Sequence, residues 1–305
     1  MSTKSAIPYK INLLLMAGIT VAILVQMVLM PVLLRDHPWI MVAIALVLVP
    51  LNTPFWSLIH ECIHKNFHPN RKVDEFSGRF MSVLFGASFG VLRFGHLMHH
   101  KFNREWESEY FPPEKKPHWR IYAGHYTKML GGLYLIEVVL SFGLALAPRS
   151  LTQKLLRRNF TDDKQFQAVE NGLLKQSNVT AVRIDSVLIV AFYAACFALY
   201  GANWPVLLLL IAGRAAIISI MDNPYHYDTP LDNSVAAKEL QVPPFFARFI
   251  LNFNHHLTHH NDTRVSWLHL PEHHEIQGNQ YTEPLSVALI KQFKGPLPIA
   301  DSKTV

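Results

Sequence analysis

The chain alternates between long uncharged apolar runs and short polar segments dense in histidine. Ile11–Leu34 is free of charge over a length that crosses a bilayer, for which about 17–25 apolar residues are needed. Trp39–Ile59 repeats the pattern, with Pro50 and Pro54 as kink points. Ser186–Ala202 and Trp204–Ile220 make a second pair, interrupted only by Arg214, which lies close enough to one end to snorkel toward water. The connectors Arg35–Pro38 and Gly201–Asn203 are short, so each pair reads as a transmembrane helical hairpin. The N-terminal run is too long for a signal-peptide core and no small-residue cleavage site follows, so it is expected to stay in the mature protein. Met81–Leu92 is too short to span, and Leu130–Ala147 has Glu137 in its middle. Re-entrant segments or a matched pair of crossings would also suit them, but interfacial helices are preferred.

Charge sets the orientation. Neither connector has a basic excess, and Trp39 and Trp204 stand beside them as interfacial anchors. Lys4, Lys10 and the stretch Arg149–Lys175 hold the positive charge, which places both termini and the histidine-rich segments on the cytoplasmic side of a bacterial inner membrane or its equivalent. Gln153–Lys175 reads as a charged, helix-rich linker, Phe111–Pro117 as a loop, and the tail after Pro284 as polar with one apolar patch at Leu285–Ile290. Without repeats or low-complexity tracts, residues 1–305 form one mainly α, polytopic membrane domain. A fused electron-carrier module would need roughly another hundred residues.

Composition agrees. Half of the 305 residues are hydrophobic, only 16% are charged, and mean hydropathy is +0.16. The net charge of +6 is modest and suits loops facing anionic lipid rather than nucleic acid. The two cysteines, Cys62 inside a histidine cluster and Cys196 inside an apolar run, give no disulfide framework.

The chemistry lies in three clusters. His60 and His64 are spaced i, i+4; His96, His99 and His100 are spaced i, i+3, i+4; and His256, His259 and His260 repeat that second spacing. These spacings put side chains on one helix face. Imidazole suits iron, zinc, copper and nickel, whereas a structural zinc site takes four ligands, usually with cysteine among them. Eight imidazoles are too many for one ion and fit two. An imidazole-rich dimetal site beside a membrane points to redox iron and dioxygen rather than hydrolysis. His226, shortly after the last membrane run, is a ninth ligand candidate. Asp222 and Asn223 before it are possible additional ligands or partners that fix an imidazole tautomer. His255 falls off the face of its cluster and fits a supporting role better than ligation. His37, His68, His118, His125, His269, His273 and His274 stand outside the three boxes and read as ordinary polar residues. Glu61 faces away from its flanking histidines, and Cys62 reads as a small buried residue. Arg93, Lys101, Arg104 and Arg248 read as headgroup-level basic residues, or as attractors of an anionic substrate or an acidic electron donor.

The pattern HxxxH, HxxHH, HxxHH resembles the membrane-bound fatty acid desaturase and hydroxylase superfamily. The likeness continues in Asn70–Glu75 after the first box and in Asn261–Pro271 after the third, a run similar to the family's HHxxPxxxWxxLP. Thr263 or Arg264 stands where the family commonly has proline, and the likeness spans about residues 40 to 275. It implies membrane helices capped by a cytoplasmic domain that holds two irons on His60, His64, His96, His99, His100, His226, His256, His259 and His260. In stearoyl-type desaturases the position of Asp222 is an asparagine that binds through water; an anionic Asp222 in that place would make the irons more electron-rich.

The resemblance also implies reductive activation of dioxygen and hydrogen abstraction from an unactivated C–H bond of a lipid. Electrons would come from a separate ferredoxin, rubredoxin or cytochrome with its reductase. Fatty acyl desaturation matches the boxes best. Lipid or carotenoid hydroxylation or ketolation, and decarboxylation to a terminal alkene, need the same ligands, because substrate placement decides among them. A metal transporter would bury its ligands near the membrane midplane, and a metal-stabilised scaffold would not need nine.

Overall fold

The computed structural model describes residues 6–103, 110–112, 117–159 and 162–299. Lys4, Arg104, residues 113–116 of the 111–117 loop, residues 160–161 of the linker and the end of the tail lie outside them. The described chain is mainly helical, with two small parallel strand pairs: Leu240–Gln241 with Glu283–Pro284, and Tyr110–Phe111 with Leu297–Pro298.

Four apolar helical stretches are long enough to cross a membrane: α1 (Tyr9–Leu33), α2 (Pro38–Ile63), Trp119–Leu146, and the 50-residue stretch Gln176–Tyr225. Their outward faces carry large apolar side chains in the open, Trp39 at 82% and Leu146 at 83% exposure, as a lipid-facing surface requires. Proline shapes the first two. Pro31 offers no N–H to the turn before it, and a π-turn at Val25–Leu29 absorbs the mismatch. Pro50 sits in a tightened 3-10 turn, where Asn52 Nδ2 donates to Val49 O at 2.8 Å.

Between α2 and the third stretch, α3 (Arg71–Phe85) and α4 (Phe89–Lys101) meet at 102°. Asn70 caps α3 by accepting from Lys72 N at 2.9 Å, and Gly86 ends it in the left-handed conformation at φ 97°. Met81–Leu92 is therefore not one interfacial helix but the corner between two. A Cβ on Gly78 would stand 2.4 Å from the Phe89 ring, so only glycine allows the two arms to approach this closely.

The third stretch, α5 (Trp119–Leu146), contains the segment expected at the interface. It is bent at Leu130 and Gly131, where Gly131 has φ 135°. Leu130–Ala147 is thus largely the second half of a 28-residue helix able to span. Glu137 does not argue against this, because it lines an internal cavity rather than facing lipid. The linker holds two short helices, α6 (Arg149–Asn159) and α7 (Asp163–Asn171).

In the fourth stretch α8 (Gln176–Tyr200) starts earlier than expected, and α9 (Trp204–Asp222) folds back along it. Residues 193 and 214 would stand about 30 Å apart in one straight helix, yet Arg214 Nη1 donates to Tyr193 OH at 2.6 Å. The first pair folds back in the same way, since Asn12 Nδ2 donates to Phe67 O at 2.8 Å. The two connectors lie together: Asn203 Nδ2 donates to Arg35 O at 2.8 Å.

Arg214 does not snorkel. It is 1% exposed, and its guanidinium donates to Asn52 Oδ1 at 2.8 Å, Leu84 O at 3.0 Å and Phe85 O at 2.5 Å, besides Tyr193. One buried cation thereby closes the carbonyl end of α3 and ties it to α2 and α8. Arg79 makes a second tie, pairing with Asp185 at 2.6 Å, while Ser88 Oγ donates to the other oxygen of Asp185 at 2.9 Å.

Candidate metal centre

The three boxes meet at the ends of these helices. His60 lies in the last turn of α2 and His64 caps it; the second box ends α4; the third forms the short α11 (His256–Asn261), which follows α10 (Pro244–Phe249). His226 ends the 3-10 turn that closes α9. The ring nitrogens gather in two groups, each with its members mutually within 4.8 Å: His60, His64, His96, His100 and His259, then His99, His226, His256 and His260. The groups adjoin, with the His100 and His260 rings 4.3 Å apart.

Helix geometry explains the partition. At 3.6 residues per turn, positions i+3 and i+4 diverge by about 100° around the axis, one to each side of position i. An HxxHH box therefore straddles two points in space. His96 and His100 turn to the first group and His99 to the second, while His256 and His260 turn to the second and His259 to the first.

The nitrogens fit metal better than they fit one another. His96 Nε2 is 2.9 Å from both His64 Nε2 and His100 Nε2, and His100 Nε2 is 3.1 Å from His259 Nε2. In the second group His226 Nε2 is 3.1 Å from His99 Nε2 and 3.0 Å from His256 Nε2. A ring nitrogen has either one hydrogen or one in-plane lone pair, so no choice of tautomers satisfies a nitrogen facing two others. His60 Nε2 and His260 Nε2 are buried without a hydrogen-bond partner. Imidazoles about 2.1 Å from one ion place adjacent nitrogens about 3 Å apart, as here. Burial drives the His64 imidazole from its ordinary value down to about 3, with His99 adding to the effect. Burial also holds His256, His259 and His260 well below theirs, so all four stay neutral, the form that binds metal.

A cavity of about 120 Å³ opens against both groups. His96, His99 and His226 line it together with Lys128, Glu137, Asp222 and the apolar surface of Trp56. Asp222 is a cavity residue outside both nitrogen groups. Asn223 also faces the cavity, but its amide donates to Gln292 Oε1 at 3.0 Å. His255 points away, into a separate group with Glu239 and His274.

A layer of hydrogen bonds holds the boxes in register. Trp267 N donates to Glu61 Oε2 at 3.2 Å, joining the run after the third box to the helix of the first. Trp267 Nε1 donates to Asn12 Oδ1 at 2.8 Å, and Asn66 Nδ2 to Thr263 O at 2.9 Å. Glu61 is thus a brace, and Cys62 is wholly buried in the apolar core. Arg93 pairs with Glu75 at 2.5 Å and lies over the Phe89 ring, while Lys101 lies over Phe102 and Arg248 is exposed. Of the remaining histidines, His125 Nε2 lies 2.9 Å from Gln292 O and His269 Nε2 lies 3.1 Å from Ala6 O. Sequence reasoning missed Lys128 and Glu137 at the cavity and Asn12 in the brace; a charged residue inside an apolar run was the available signal for Glu137 alone.

Fold and site define a membrane protein built around a buried pair of imidazole groups able to hold metal. The chain belongs to the fatty acid desaturase family, whose model, described as fatty acid desaturase, matches residues 37–287. It is accordingly a lipid-acting oxidoreductase. Neither a curated relative nor a solved structure matches the chain.

Proposed function

We propose that this protein is a membrane-bound, dioxygen-dependent diiron enzyme that oxidises an unactivated C–H bond of a lipid, with fatty acyl desaturation as the first reading. The observation that supports it most is the gathering of nine imidazoles into adjoining groups of five and four within a chain of the desaturase family. Two irons held there would supply dioxygen activation and the one-electron steps that break a C–H bond. The chain's own residues do the rest. Buried rings present neutral nitrogens, the Glu61–Trp267 brace keeps the boxes in register, and Trp56 keeps part of the cavity beside the ligands apolar.

One observation favours a second reading. The cavity against the ligands has Lys128, Glu137 and Asp222 in its lining, so the part of a substrate held there is polar. That suits attack near a carboxyl or hydroxyl end, giving a hydroxylated lipid or a terminal alkene by decarboxylation, better than attack in mid-chain. The paired connectors at one end and the histidines at the helix ends support the orientation proposed from the loop charges. The chain crosses the membrane several times with termini and ligands cytoplasmic, and takes electrons from a separate small redox protein. A tag at Ala202–Asn203 should then react only with reagents supplied from the periplasm; labelling from the cytoplasm would reverse the topology.

The test is mass spectrometry of lipids and headspace from cells expressing the chain or its His259→Ala variant, with a matched reductase system. New acyl double bonds support desaturation, and hydroxylated lipid or a volatile alkene supports the second reading. Identical profiles from the two strains, with iron bound and reductant supplied, would refute both for the lipids present.

A further inference from the structure

Outside the nine-histidine centre a second kind of cluster is buried. Glu239 has no exposed surface, and His255 and His274 are 4% and 8% exposed. The imidazole Nδ1 atoms of His255 and His274 lie 2.9 Å and 3.0 Å from the same carboxylate oxygen, Oε2 of Glu239. The other oxygen, Oε1, is already engaged, accepting from Thr258 N at 2.6 Å and Thr258 Oγ1 at 2.7 Å. His255 Nδ1 is aligned to hydrogen-bond Oε2. His274 Nδ1 is not, and it is buried with no hydrogen-bond partner despite its closeness. Three segments distant in sequence meet here: the strand residue before Leu240, the residue preceding α11, and α12 (Leu270–Gln277). Backbone pairing holds them, through the Glu239–His255 bridge and Thr282 N donating to Glu239 O at 2.8 Å.

Burying a carboxylate costs several kcal/mol unless a cation accompanies it. Lys238, the neighbouring lysine, pairs with Glu283 instead, at 2.9 Å. We propose that Glu239, His255 and His274 form a third metal site, sharing no ligand with the nine-histidine centre, that takes one zinc ion. Two imidazole nitrogens and one carboxylate oxygen are a common zinc donor set, one that leaves the fourth position to a water molecule. The two nitrogen–oxygen separations match those within the histidine groups and are about what ligands 2.0–2.1 Å from one ion would show, and all three donor atoms lie within 4.8 Å of one another. Since Thr258 occupies Oε1, Glu239 binds through Oε2 alone, and His274 Nδ1 gains the partner it lacks. The ion would join α12 to the residue directly before His256, fixing the start of the third box without taking part in oxidation.

Metal analysis of the purified full-length protein tests this separately from the diiron reading, on wild type and on His274→Ala, Glu239→Gln and His259→Ala variants. After iron loading and titration with Zn²⁺ alone, wild type should hold about one zinc per chain in addition to iron. His274→Ala and Glu239→Gln should lose the zinc and keep the iron; His259→Ala should lose iron and keep the zinc. Zinc-edge X-ray absorption on wild type, which needs no variant to fold, should show a nitrogen and oxygen shell at about 2.0–2.1 Å. A wild type that takes up no zinc, zinc retained in full by His274→Ala, or zinc lost only together with iron would each overturn the site. Glu239 would then be a hydrogen-bonded clamp on the third box, with the diiron reading untouched.

Discussion

Replacing Arg214 with methionine should destabilise the protein by about 2–4 kcal/mol, a figure that follows from what the guanidinium touches. Hydrogen bonds to a charged group contribute about 1.5–3 kcal/mol each, and Arg214 makes four, to Asn52, Leu84, Phe85 and Tyr193. Their sum overstates the loss. Methionine removes the cost of burying a charge, and two of the acceptors keep another donor: Tyr134 OH donates to Phe85 O at 2.5 Å, and Tyr193 OH to Leu84 O at 3.0 Å. Asn52 Oδ1 loses its donor outright, which costs about 1–3 kcal/mol. The remainder comes from looser packing where α2, α3 and α8 meet. At roughly 2–4 °C per kcal/mol, the scale for chains somewhat shorter than this one, the thermal midpoint in detergent should fall by about 4–16 °C. Adding Tyr134→Phe leaves Phe85 O without a donor, so the double variant should lose more than the two single losses together. Because Asn52 lies on the first-box helix and Leu84 and Phe85 precede the second box, iron retention should fall alongside the midpoint. An unchanged midpoint in Arg214→Met, or strict additivity with Tyr134→Phe, would show that the guanidinium does not hold these helices.

Four further outcomes follow from the site. His226→Ala leaves three imidazoles in the four-membered group, so iron by mass spectrometry should drop from two to about one per chain; His259→Ala should lower iron and abolish turnover with membrane insertion intact, and full iron in either would break the partition. Glu61→Ala leaves Trp267 N–H buried and unpaired and should cost about 1–3 kcal/mol in thermal stability, mostly restored in Glu61→Gln, which keeps an acceptor; equal losses in the two would mean the charge matters instead. His64 is held at about 3 in the fold against 6.5 when free, so between those values the unfolded chain binds the proton and the folded chain does not. Stability of the metal-free protein should therefore be complete above about pH 6.5 and fall as pH is lowered toward 3, because the unfolded state binds more protons there; a chelator-treated sample that melts no lower at about pH 5.5 than at pH 7.5 would contradict this.

Much of this was legible in the residues because it depends on local periodicity. Uncharged runs longer than a bilayer mark spans whatever packs around them, and the i, i+3, i+4 spacing of the boxes puts imidazoles on one helix side before any tertiary contact is known. What stayed hidden depends on partners far along the chain. Arg214 reads as a snorkelling residue because nothing nearby in sequence shows that the end of α3 and side chains of α2 and α8 surround it. Glu137 argues for an interfacial helix until the bend at Gly131 and the cavity beside His96 give it an interior to face. His274 and Glu239 have no partner at helical spacing; the chain brings them together through tertiary contacts, among them the Glu239–His255 bridge and Thr282 N donating to Glu239 O. Gly86, which makes the corner between α3 and α4, falls inside an apolar run that reads as continuous.

The 100° divergence of positions i+3 and i+4 also bears on how the centre works. A box of the form HxxxH serves a single point, and His60 and His64 do both belong to the five-membered group. A box of the form HxxHH serves two points, and the second and third boxes each place members in both groups. The helices that carry them thus set the separation of the two metal positions jointly. Neither position can shift without moving α4 or α11, and each is fixed by ties outside the centre: the Arg93–Glu75 pair on one side and Glu239 bound to Thr258 on the other. Two ions held in these groups would sit at a spacing that the backbone geometry of the two helices helps to set. Glu137 and Asp222 line the cavity beside these groups, Asp222 outside the two sets of ring nitrogens.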